Sequence, residues 1–188
     1  GPVKLLNVEN ITQDKIPASQ VSYYHLNASK QVDVLILNNA TGDCYTYGIL
    51  SSKVETIYDS GFEITERTMR VTNQSGEHGP YKGGGTVSGG MKVFGGVAEG
   101  SNSVVADWLT LQSIRNIPRS AFTTIDGTVW FTHNGQSFPV SESVQCYNNV
   151  SGTWFDDLAA CRAFSNDLTV YYDRPANEGG KIRIVVAN

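Results

Sequence analysis

The chain has 188 residues, with 14 Lys and Arg against 18 Asp and Glu, a formal net charge of −4 and 40% hydrophobic residues. That length and apolar content allow one domain with a sizeable core and exclude global disorder. No Lys/Arg block is present to track a phosphate backbone, and no apolar run approaches the roughly 18 residues of a membrane helix, so nucleic-acid binding and a transmembrane helix are set aside.

Gly1-Pro2 matches the scar that proteolytic cleavage leaves, so native sequence is expected to precede it. From Val3 to Val21, Leu6, Ile11, Ile16 and Val21 recur every five residues, a period that fits neither an amphipathic helix nor a simple strand. Such a segment is too poor in apolar residues to build its own core. Three copies wound about one axis would bury these positions, and an extended arm packed on the domain would do the same. Residues 1–21 are therefore read as an arm or the end of a fibre shaft, and 22–188 as a β-rich domain.

Gln31–Leu37 and Tyr45–Leu50 are rich in β-branched and aromatic residues and flank Asn38–Asp43, a cluster with turn chemistry, which predicts a hairpin. Lys53–Asp59 and Thr65–Thr72, separated by Ser60-Gly61, continue an antiparallel meander. Ten of the 25 residues from Gly76 to Gly100 are glycine, which predicts a set of loops. Neither a dinucleotide fingerprint nor a phosphate-binding P-loop occurs there. The glycines serve a ligand, a flexible linker, or close backbone approach around a symmetry axis.

The run from Asn102 to Ile117 is ambiguous between a helix and a long strand, and Pro118 stops either. Thr128–His133, the Asn134-Gly135 turn and Gln136–Val140 form the clearest hairpin, since Asn-Gly accepts the positive φ of a type I′ turn. Thr153 with Asp156 resembles a capping box opening a short helix through Phe164. Leu168–Tyr172 and Lys181–Val186 are the last predicted strands. The sum is a mainly β chain, an antiparallel β-sandwich or knob with one short helix.

Cys44, Cys146 and Cys161 cannot all pair within one chain. Cys146 and Cys161 are close enough in sequence to be bridged in an oxidising compartment, or all three are buried thiols acting as small hydrophobes. No Cys-x-x-Cys occurs, and His25, His78 and His133 lie at least 53 positions apart, so neither a metal nor another cofactor is expected. Sequons at Asn10, Asn27, Asn39, Asn73 and Asn149 would be glycan sites in a eukaryotic secretory pathway, and a Ser/Thr/Asn-rich β surface also yields them by accident.

Catalytic signatures are weak. Gly-x-Ser-x-Gly does not occur, and Asp156-Asp157 are explained by a favourable position in the first helical turn. Binding leaves a clearer trace: 19 aromatic residues, several beside turns and next to amides and hydroxyls, suit a sugar or protein surface. Tyr81, His78, Trp130, His133 and Asn134 are the candidate ligand-binding residues at an exposed tip.

An arm with sparse recurring apolar residues (Val3–Val21), followed by glycine-rich loops such as GPYKGGGTVSGG, resembles the distal end of a trimeric fibre. The families are phage tail fibres and the fibre-like adhesive trimers of predatory bacteria. The resemblance covers about a quarter of the chain and transfers no residue-level motif; the helix ending at Phe164 departs from many fibre tips. It implies a non-enzymatic, homotrimeric adhesin, extracellular or on a cell or virion surface, that binds a glycan or protein receptor. The alternatives are a secreted β-sandwich polysaccharide hydrolase or lyase, and a purely structural pilus, capsid or surface-layer domain.

Overall fold

The computed structural model describes Ile11 and residues 15–188. Of the five-residue recurrence read at the start of the chain, Leu6 lies outside the described residues, whereas Ile11, Ile16 and Val21 are half-buried. The chain is mainly β, with one α-helix among the described residues and none long and apolar enough to cross a membrane.

Strands β1 (Val21–Leu26) and β2 (Val32–Leu37) form a separate two-stranded antiparallel sheet. Its turn is closed by Asn27, whose Oδ1 accepts from the Ser29 and Gln31 amides at 2.9 and 3.0 Å. The hairpin predicted between Gln31–Leu37 and Tyr45–Leu50 therefore does not form. Its intended turn, residues 38–43, is instead held against the far end of the chain: Arg183 donates to the Thr41 carbonyl and to Asp43, and Arg174 to the Asn39 carbonyl.

Strands β3 (Thr46–Asp59), β4 (Phe62–Asn73), β5 (Gly76–Lys82), β6 (Val93–Glu99) and β7 (Val105–Thr110) make a five-stranded antiparallel sheet in the order β5-β4-β3-β6-β7. The β3–β4 hairpin turns at Ser60-Gly61 as expected. The glycine-rich stretch differs from expectation, because β5 and β6 are full sheet members and only residues 83–92 between them are irregular. The close approach that its glycines permit is within one chain. Residues 84–87 lie over the outer face of the sheet, where a Cβ on Gly85 would overlap the Trp108 ring and the Val87 amide bonds Ser52 Oγ at 2.7 Å.

The 102–117 run resolves as two strands. At Leu111, whose amide bonds the Phe94 carbonyl at 2.9 Å, the chain passes from β7 in the first sheet to β8 (Gln112–Ile117) in a seven-stranded one. That sheet also holds β9 (Phe122–Ile125), β10 (Thr128–His133), β11 (Gln136–Asn148), β12 (Thr153–Trp154), β13 (Leu168–Tyr172) and β14 (Ile182–Ala187). The order is β8-β13-β14-β11-β10-β9, with β12 beside β11. Its ladders are antiparallel except β11–β14, which is parallel because the chain crosses over through helix α1 (Leu158–Phe164) and β13. The Asn134-Gly135 hairpin forms with positive φ at both turn residues.

The helix is shorter than predicted. Asp157 is its N-cap, accepting from the Ala160 amide at 2.8 Å, and the expected Thr153/Asp156 box is absent. Thr153 and Trp154 are claimed by β12, where the Trp154 ring packs on Tyr147 at 4.8 Å.

The two sheets face each other across Tyr47 and Phe94 on one side and Tyr147, Ile184 and Val186 on the other. Behind the seven-stranded sheet a second core joins Phe131, Phe138, Leu168, Val170 and Val185 to Cys161 of the helix. A third, Leu50, Met69, Val71, Tyr81 and Val97, lies on the outer face of the five-stranded sheet with Trp108 and Val87. From Ile184 to Ala187 successive residues of β14 point alternately into the first two cores, and with Ile182 in the second core and Arg183 held by carboxylates every position in the strand is buried. Cys44, Cys146 and Cys161 are free thiols. The last two are buried neighbours, and a hydrogen bond to Cys161 together with burial pushes the Cys146 thiol up.

Candidate functional site

The five residues read as a binding tip do not converge. His78 and Tyr81 are on β5, at one edge of the five-stranded sheet, whereas Trp130, His133 and Asn134 are on β10 and its turn in the other sheet. Tyr81 is only 7% exposed and belongs to the outer core, which corrects its placement at an exposed tip. Its hydroxyl is pushed up chiefly by burial. Trp130 and His133 are half-buried, the latter against Phe131 with ring centroids 6.4 Å apart, and only Asn134 is fully exposed.

His78 has an informative neighbourhood. Its Nε2 lies 2.9 Å from Ser75 Oγ and 3.0 Å from Asn73 Oδ1, and Ser75 Oγ also donates to Asn73 Oδ1 at 2.8 Å. A serine activated by histidine needs the orienting group on the other ring nitrogen. Here serine and amide share one nitrogen, so the trio closes the β4–β5 turn. Asn73 is itself buried, with its Nδ2 donating to the Tyr47 carbonyl at 3.0 Å, which removes this sequon from the exposed surface.

The largest buried charge cluster centres on Arg183, which sequence reading missed. Its guanidinium bonds Asp173 at 2.9 Å, Asp43 at 2.8 Å and the Thr41 carbonyl at 2.5 Å, and lies 4.8 Å from the centroid of the Tyr47 ring. Tyr47 in turn donates to the Gly42 carbonyl at 2.8 Å. Lys181 stands 3.5 Å from Asp43, its ammonium pushed down by burial. With its donors committed to protein acceptors, Arg183 acts as a clamp that fastens the 38–45 connection to β14.

Among the described residues, two recesses with polar linings lie on the large sheets, and an apolar one of about 600 Å³ lies on the hairpin beside Val21, Tyr23, Tyr24, Val32 and Leu35. A groove of about 640 Å³ lies between the β10–β11 hairpin and the start of α1. Of its carboxylates, Asp43 is ion-paired and Asp157 caps the helix, which leaves Glu142 and Asp156 to face a ligand. No group of three or more His, Cys, Asp or Glu suited to a metal ion occurs among the described residues.

The second recess, about 480 Å³, opens where the two sheets meet at one end. Phe94 from β6 and Tyr171 from β13 pack there with ring centroids 4.6 Å apart. Lys92 reaches across the Tyr147 ring, and Arg115 and Asn116 come from β8. Asn188 fixes the polar side: it donates to Thr169 Oγ1 at 3.1 Å, and its Oδ1 accepts from Asn149 at 3.4 Å. The result is an aromatic wall beside amides, two exposed cations and the exposed carboxylate of Asp167, a composition that suits sugar hydroxyls, with the cations on the β6 and β8 side open to a ligand carboxylate. Tyr171 is pushed up by burial, with the Arg115 charge opposing. These residues come from five separate stretches of chain, so no local motif announces them. A comparison of the chain with protein-family models, with curated proteins and with solved structures found no match.

Proposed function

We propose that the chain is a non-enzymatic adhesive module, displayed outside the cell or on a virion in several copies on a fibre, and that it binds a carboxylate-bearing saccharide in the recess between the sheets. The observation that carries this reading is the juxtaposition of Tyr171, Asn116 and Arg115 at one open recess. Arg115 is exposed and makes no ion pair among the described residues, so its charge is available to a ligand carboxylate. Flat aromatic surface binds sugar faces with little loss of side-chain entropy, and amides satisfy the hydroxyls. A single shallow site of this kind binds weakly, and several copies on one fibre raise the effective concentration.

A glycan array on the intact protein, followed by calorimetric titration of a retained acidic saccharide, tests it. Arg115→Ala should weaken binding about tenfold or more, as expected for loss of a charge-assisted hydrogen bond. Retention of no saccharide, or an affinity unchanged in Arg115→Ala, would overturn it. A polysaccharide hydrolase is the second reading, favoured by the unpaired Glu142 and Asp156 in one groove. It requires product release from a polysaccharide panel that is lost in Glu142→Gln or Asp156→Asn.

A further inference from the structure

Glycines in the connection between β5 and β6 are of two kinds. Gly83 and Gly84 have φ of 86° and 82°, and a Cβ on Gly85 would strike the Trp108 ring, so backbone shape or lack of space demands them. Gly89 and Gly90 answer to neither requirement. Neither has a positive φ, and a Cβ would meet nothing within 4 Å at Gly89 and only Ser88 Oγ, at 3.9 Å, at Gly90. What two such glycines add is backbone freedom.

That freedom is confined to a short strap. On its near side Val87 is fastened by Ser52 Oγ, which accepts from the Val87 amide at 2.7 Å and donates to its carbonyl at 3.5 Å. On its far side Val93 pairs with Leu50 in the sheet. Among the described residues, 88–91 make no hydrogen bond to any other element. The strap ends at the recess between the sheets, where Met91 and Lys92 form part of the wall. Met91 is 79% exposed, more than any other large apolar side chain among the described residues, whereas Met69, beneath the same connection at Gly85, is fully buried. An unbranched thioether on a free rim adapts its shape to an apolar surface brought against it.

We propose that residues 88–92 are a lid over this recess and that Met91 closes on an apolar substituent of the bound sugar, so that the site selects an acidic sugar bearing an N-acyl group over a bare uronic acid. The inference rests on the saccharide reading of the recess. Arg115 and Lys92 face the ligand carboxylate, and the Tyr171 ring takes a sugar face. What these leave unmet is apolar cover on the solvent side. Of the apolar side chains lining the recess, Phe94, Tyr171 and Val186 are already packed in the core between the sheets, and Met91 alone is uncommitted. An N-acyl group presents a methyl to that thioether and an N–H to the exposed Asp167 carboxylate, and a uronic acid offers no such methyl.

The chain has two methionines, so methyl NMR of the full chain with isotope-labelled methionine places one probe on the lid and one control in the outer core. The methyl glycoside of N-acetylneuraminic acid should move the Met91 signal saturably and leave that of Met69 fixed. It should bind about fourfold more tightly than the methyl glycoside of glucuronic acid, the gain from covering roughly one methyl group. Met91→Ala, at an exposed position, should abolish that preference and keep the affinity for the glucuronide. Gly89→Ala with Gly90→Ala fits the open space at both positions and should weaken the N-acetylneuraminic glycoside alone. Saturable binding that Arg115→Ala weakens but that leaves the Met91 signal unmoved would overturn the lid and spare the recess reading. A preference that survives Met91→Ala or the paired alanines would do the same. Binding of neither glycoside would overturn both.

Discussion

Strands β2 and β14 are near matches in composition, VDVLIL and IRIVVA, each six residues with one charged side chain, yet β2 has every position exposed or half-exposed and β14 has every position buried. The difference lies in what flanks them. Strand β14 sits between β13 and β11 with a sheet over one face and a helix over the other, whereas β2 has only β1. Even the lone charges follow this contrast: Arg183 is enclosed and held by two carboxylates, while Asp33 bonds His25 in the open. The outer face of the five-stranded sheet is intermediate, covered by an irregular glycine-bearing loop. Strand chemistry thus states a demand for cover, and topology decides whether the same chain meets it.

The largest test of this contrast is Arg183→Ala, which strands Asp173 as a buried charge and should destabilise the domain by about 3–5 kcal/mol in chemical denaturation. His25→Ala, which frees the corresponding exposed carboxylate of the hairpin, should change the same measurement by under about 1 kcal/mol. Next comes the apolar pair. Leu168→Ala in the core should cost about 2–5 kcal/mol. Leu35→Ala, on a hairpin that pairs with no other strand, should leave chemical unfolding within about 0.5 kcal/mol of wild type. Equal losses would show that the hairpin is packed on its own domain.

For the loop-covered face, Gly85→Ala drives a methyl into Trp108 and should cost about 1–3 kcal/mol, with a shift in tryptophan emission. The smallest effect is a pH dependence on the β3–β4 ribbon. Hydrogen bonds from Arg70, Thr68 and Lys53 lower the Glu55 carboxyl to about 2. A carboxyl lowered by folding contributes stability that is fully present above its unfolded value, near 4.5, and that disappears as pH falls through about 2. Denaturation at stepped pH should show this contribution vanish in Glu55→Gln.

Much of the framework was legible because it is local. Asn134-Gly135, Ser60-Gly61 and the alternation in TVWFTH encode their turns and strands within a few residues, and the mainly β character follows from them. The 38–43 turn was misread because its geometry is set by Arg183, 140 positions beyond Asp43, and no local rule carries that distance. Glycine count suggested loops over 76–100, yet cross-strand pairing of Gly48 with Gly95 and Tyr47 with Gly96 shows why small residues also suit sheet positions pressed by neighbours. Tyr81 was taken for a surface aromatic for the same reason: its cover comes from chain that is remote in register. The recess was invisible because Lys92, Arg115, Tyr171 and Asn188 meet only once both sheets are assembled.

The placement of β14 also has a kinetic meaning. It fills the middle of the larger sheet, feeds two cores and supplies Arg183, yet among the described strands it is the last to leave the ribosome. Until then β11 and β13 have a gap between them where their shared neighbour belongs, and β3 lacks its anchoring cation. The nascent domain must therefore wait as an open half-shell, exposed to chaperones and proteases, and snap shut only after its closing strand has emerged.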